Sequence, residues 1–138
     1  TNDYKWERLD DLACEFPRLD ERFAGSNYRY GYFAADMKPQ FKVGGFNAIG
    51  RRDHETGKIE LHDVGEACAT NEPVFVPRSA DASEGDGFLL ANVYDANRKA
   101  SHLVILDAQN VSGEPIAKAY LDHRVPFGFH GNWAQDVA

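Results

Sequence analysis

GFLLANVYDANRKASHLVILD, residues 87–107, decides the fold class of this chain. Hydrophobic residues alternate with a period of two along 87–94 and again along 102–107, and the polar run Asp95-Ala96-Asn97-Arg98-Lys99 divides the two segments. A period of two sends successive side chains to opposite faces of a strand, so the stretch predicts an antiparallel hairpin. The pattern extends outward from there and predicts further strands over 28–35, 46–52, 58–64, 73–77 and 116–122. Asp53-His54-Glu55-Thr56-Gly57 supplies a second hairpin turn, with a glycine able to take a positive φ. The opening twenty residues carry no pattern, nor does 36–45, where Pro39 and the Gly44-Gly45 pair interrupt it. The chain is therefore expected to be all-β. Short strands joined by hairpins fit either a sandwich or a propeller of four-stranded blades.

Spacing bears on that choice. Glu15 opens EFPR and Glu72 opens EPVFVPR, two stretches that share a Phe and a Pro-Arg pair, as if one structural position were visited twice. From Glu15 to Glu72 is 57 residues, and from Glu72 to His130, in HRVPFGFHGNW (residues 123–133), is 58. Those steps lie near the upper end of the roughly 40–50 residues of a propeller blade, once a loop insertion is allowed. If each step is one blade, all three side chains reach the inner ends of successive innermost strands. Chance is the competing explanation, because 22 acidic residues and five histidines produce many pairs at any separation.

His130 lies between Phe129 and Gly131, after Val125-Pro126-Phe127-Gly128, a setting expected to fix the backbone and keep water from the ring. A buried imidazole must satisfy two nitrogens. A metal on one and a hydrogen-bond acceptor on the other is one solution; a core histidine bonded to a carbonyl is the other. For Glu15 and Glu72 the choice is between a surface carboxylate paired with Arg18 or Arg78 and a buried group, and the apolar neighbours Phe16, Val74 and Phe75 favour burial.

HRVPFGFHGNW resembles the C-terminal end of the carotenoid cleavage oxygenase family, in wording nearest its bacterial lignostilbene dioxygenase branch. CEFPRLDERFAG from Cys14 and NEPVFVPRSADASEGDGFLLANVYD from Asn71 match the same family in the same order, so the likeness runs over nearly the whole chain. The resemblance implies a seven-bladed β-propeller with Fe(II) on its axis, held by four histidines whose rings are backed by three glutamates. It implies that His130 is the last of those ligands and that Glu15 and Glu72 are two of the backing carboxylates. It also implies cleavage of a conjugated C=C bond by O2 to two carbonyl products, on an apolar stilbene or apocarotenoid substrate, the stilbene type preferred. Three histidines and one glutamate of the pattern have no counterpart here. Residues 1–138 are accordingly expected to be the C-terminal portion of such a propeller, about two blades with no second domain. The remaining blades would be a necessary partner, and the isolated chain should be inactive. A non-catalytic propeller segment acting as a binding or assembly module is the alternative.

Composition narrows the rest. At 43% hydrophobic and 12% aromatic, 138 residues suffice for a packed core. A net charge of −7 without a basic cluster argues against a nucleic-acid partner. Apolar runs such as Leu103-Val104-Ile105-Leu106 are strand-sized, the N-terminal residues are too polar for a signal peptide, and nothing indicates membrane contact. Cys14 and Cys68 fit reduced thiols in a cytoplasm, although one bridge between them stays open. His54 is expected in a turn, His62 on a solvated face with Lys58 and Glu60, and His102 at the surface where a strand opens. His123, next to Arg124, is the nearest rival to His130 as a ligand. No Gly-x-Ser-x-Gly elbow or phosphate-binding loop is present. Phe127, Phe129 and Trp133 read as core or channel lining.

Overall fold

A computed structural model describes residues 3–37 and 45–134; Pro39 and Gly44, expected to break the pattern, lie outside the described residues. The first sheet is an antiparallel meander of β1 (Cys14–Leu19), β2 (Tyr30–Ala35), β3 (Ala48–Asp53) and β4 (Ile59–Asp63), with a short 3-10 turn at Glu21–Phe23 after β1. The β3–β4 turn forms because Asp53 Oδ1 accepts the Glu55 amide at 2.9 Å, its carbonyl accepts the Gly57 amide at 2.8 Å, and Gly57 takes a φ of 74°.

The second sheet contains β5 (Cys68–Thr70), β6 (Val74–Pro77), β7 (Gly87–Asp95), β8 (Ala100–Asp107) and β9 (Ala117–Tyr120). Both β5 and β6 pair with β7, whose other edge is taken by β8, so they are two lengths of one innermost strand. The β7–β8 turn repeats the aspartate device, with Asp95 Oδ1 accepting the Asn97 amide at 2.9 Å, but here Lys99 supplies the left-handed residue at φ 54°.

Each sheet is completed by consecutive strands before the next begins. That is the connectivity of propeller blades, whereas a Greek-key sandwich sends its chain back and forth between sheets. The two blades pack face to face: Tyr32 and Ile49 of the first meet Phe75, Leu89, Val93, Val104 and Leu106 of the second, and the Tyr32 and Phe75 rings stack at 5.3 Å. The opposite face of the first blade carries a smaller cluster of Phe33, Ala35 and Ala48, with Leu12, Ile59 and Leu61 against it.

The strands expected from sequence are present within one or two residues of their bounds, while β1 and β5 are additions. CEFPRL hides its strand behind a proline and an irregular step, and Cys68–Thr70 is too short to show a period. Two histidines depart from expectation. His102 is buried, not superficial, because it shares a face of β8 with Val104 and Leu106, opposite Val93 and Tyr120. His62 is half-buried, since its register with Ile49 turns it towards the second blade, and burial lowers its pKa. His54 is exposed as expected, and His123 is exposed too. Both cysteines are free, Cys14 exposed and Cys68 buried, which closes the question of a bridge between them.

Candidate functional site

Both innermost strands carry one residue more than their partners. On the first blade the step from Glu15 to Arg18 faces the shorter step from Ala34 to Tyr32; on the second, Thr70 to Val74 faces Val93 to Leu90. Each is a β-bulge, a device that turns side chains away from the regular pleat. Glu72 lies inside the second bulge and Glu15 at the edge of the first. Phe16, at the first bulge, has a φ of 58°, a left-handed conformation that costs a non-glycine residue about 1–2 kcal/mol.

The bulge buries Glu72 to 6% exposure and aims its carboxylate at residues 130–131. Oε1 accepts from His130 Nδ1 at 3.0 Å, and Oε2 accepts from the Gly131 amide at 2.8 Å and pairs with Arg18 Nη1 at 2.9 Å. Burial by itself would raise the Glu72 pKa, but the His130 bond, the Gly131 amide and the Arg18 charge outweigh it and hold the carboxyl below its usual value. An ionised carboxylate only accepts hydrogen bonds, so a hydrogen sits on Nδ1, and in the neutral ring the Nε2 lone pair is then available. The edge of Phe16 meets the His130 ring with centroids 6.1 Å apart. The segment itself is pinned upstream, where the Val125 amide donates to Ser101 Oγ at 3.0 Å and Arg124 lies over the Tyr94 and Phe127 rings.

Two expectations need correction. His130 is not secluded from water: its side chain is 77% exposed, because residues 121–134 form no strand and Gly128 and Gly131 border open space. Its near surroundings are an open cleft of about 290 Å³ shared with Glu72, Asn92, Val125 and Trp133. Glu15 is exposed rather than buried, and among the described residues no hydrogen bond or ion pair engages its carboxylate, because the first bulge has no counterpart of the 130–131 turn laid over it. The structure thus joins two of the three expected residues and leaves the third apart. Phe127, Phe129 and Trp133 are exposed too, so they are not core.

Arg18 and Phe16 were not singled out from sequence. Arg18 figured only as a possible salt-bridge partner competing with a ring-backing role for glutamate; Glu72 fills both roles at once. The arginine in EFPR was the available signal.

An imidazole with Nδ1–H bound to a carboxylate and Nε2 free is suited to metal coordination. Among the described residues no three His, Cys, Asp or Glu side chains group closely enough to hold a metal. His130 therefore fits one corner of a nitrogen-ligated site and not a whole one. No helix among the described residues is long and apolar enough to cross a membrane.

Fold and site together define a pair of successive propeller blades that present a carboxylate-backed histidine. The chain belongs to the RPE65 family, described as retinal pigment epithelial membrane protein, whose profile matches residues 1–135. It is 44% identical over 135 residues to lignostilbene-alpha,beta-dioxygenase isozyme III of Sphingomonas paucimobilis, covering 92% of this chain and 28% of that protein. With the apocarotenoid-15,15'-oxygenase of Synechocystis sp. it shares 39% identity over 123 residues, 89% of this chain and 25% of that one. Among solved structures, Pseudomonas brassicacearum lignostilbene dioxygenase superposes with a TM-score of 0.86 at 33% identity over 93% of this chain and 28% of its own. Cobalt-substituted Synechocystis ACO gives 0.85 at 37% identity, over 93% and 26%. The carotenoid oxygenase resemblance is borne out, and the chain spans about a quarter of the length of these relatives.

Proposed function

We propose that residues 1–138 are the His130-bearing portion of a non-haem iron oxygenase that uses O2 to cleave a conjugated C=C bond into two carbonyl products, on a stilbene or apocarotenoid substrate. The observation that carries this reading is the Glu72 carboxylate bound to His130 Nδ1, which leaves Nε2 free. In it His130 is one of four histidine ligands to Fe(II), Glu72 backs its ring, and Glu15 backs a second ring contributed from outside these residues. When bound, the iron would supply the site that activates dioxygen. The chain's own residues fix the tautomer and direction of one ligand and keep its carboxylate ionised. The lignostilbene and apocarotenoid names of the relatives support the substrate class, and the 44% identity favours the stilbene type.

Residues 1–138 contain no second domain in this reading, which the shared core of the two blades supports. The partners are an apolar conjugated substrate, O2 and the remaining blades; the two free thiols suit a cytoplasmic setting. The test is iron content and turnover of the parent protein with and without His130→Ala. Loss of both is expected. Unchanged metal and activity would leave these blades as a binding or assembly module.

A further inference from the structure

We propose that Arg18 is the positioning residue for His130, a latch from the preceding blade that holds the turn carrying the imidazole. The inference rests on the ligand reading of His130 only in naming what the latch serves. The His130–Asn132 turn has no secondary structure of its own, and a Cβ on Gly131 would meet open space, so apart from the edge of Phe16 on the His130 ring its described anchors are polar. Glu72 takes the His130 ring and the Gly131 amide. Arg18 Nη1 donates to the Gly131 carbonyl at 2.8 Å, and Nη2 donates to Asn132 Oδ1 at 3.1 Å. The same guanidinium pairs with Glu72 Oε2 at 2.9 Å and with Glu21. Its side chain is only 14% exposed.

Gly131 is therefore gripped on both sides, its amide by Glu72 and its carbonyl by Arg18, and the two gripping groups are bonded to each other. A planar fork is required: one guanidinium reaches the carboxylate, a backbone carbonyl and a side-chain amide at once, and an ammonium is a single point charge on a flexible stem. The β1 bulge is what brings Arg18 there, because the extra residue lies between Glu15 and Arg18 and resets the strand before it. The described bonds of Arg18 go to Glu72, Glu21, Gly131 and Asn132, so it acts on His130 through Glu72 and the turn.

The experiment compares Arg18→Met, Arg18→Lys and Asn132→Ala in the native chain with its flanking sequence. It reads hydrogen exchange of the Gly131 amide, exchange of the Leu89 and Val104 amides in the β7–β8 hairpin, and the affinity for Fe(II) itself. Arg18→Met should speed Gly131 exchange about tenfold and weaken iron binding by about 10–100-fold, with the hairpin amides unchanged. Arg18→Lys should rescue only part of this. Exposed Asn132→Ala, which leaves β1 intact, should give a smaller change in the same direction. Unchanged Gly131 exchange in Arg18→Met would overturn the latch, as would equal acceleration of every amide or full rescue by lysine. Faster Gly131 exchange with unaltered iron affinity would support the latch and sink the ligand reading of His130, so the two failures are distinguishable.

Discussion

Glu72 is held by three donors of different kinds: an imidazole, a backbone amide and a guanidinium. A carboxylate at 6% exposure would be expensive without them. His102 shows the opposite solution. Its Nδ1 is buried without a hydrogen-bond partner among the described residues, and burial first, then the nearby charges of Lys118 and Arg98, lower its pKa, with Asp95 opposing. The folded ring therefore stays neutral at pH values where the unfolded chain takes up a proton. Its contribution to stability is complete above the ordinary value of 6.5 and is lost as the pH falls towards the depressed one. Urea midpoints at about pH 7.5 and about pH 5.5 should differ less in His102→Phe than in the wild type, with His62 accounting for the remaining slope. Equal differences would contradict this account.

At the level of elements, the irregular steps in the innermost strands matter more than the regular ladders. A regular β1 would put Arg18 on the other face of the sheet and break its grip on the 130–132 turn, because side-chain direction has a strict period of two. Phe16 bears the backbone cost of that irregularity and recovers ring contacts with Phe46 and His130. The β6–β7 ladder is tight for another reason. A Cβ on Gly87 would lie 2.2 Å from the Val76 carbonyl oxygen and 2.8 Å from the Phe75 ring. Gly87→Ala should cost at least about 1–3 kcal/mol, since backbone cannot give way as a side-chain tip can, and thermal unfolding would register the loss. An unshifted midpoint would mean that β6 is not held against β7 as described.

For the molecule as a whole, the two blades share one core, yet much remains uncovered: all four residues of β9, Tyr120 among them, are exposed, and Ile116 and Phe129 add apolar surface. Open strand edges and apolar faces invite association. Residues 1–138 produced alone should self-associate in sedimentation or size-exclusion measurements and show no oxygenase turnover with added Fe(II) and a stilbene. A clean monomer that unfolds cooperatively would count against their needing further blades.

The sequence by itself determined the β class and, among the described residues, seven of the nine strands and both hairpin turns, because period-two alternation and aspartate turn chemistry are local signals. It marked Glu15 and Glu72 as members of a repeated motif, and each stands at an irregular step of its blade's innermost strand. Only the tertiary structure decided that Glu15 and His130 face water, that His102 is interior, and that Arg18 closes the turn over Glu72. The turn over Glu72 depends on segments that meet across 58 to 114 residues of chain, and the burial of His102 on strands packed to either side of it; no local pattern records such contacts.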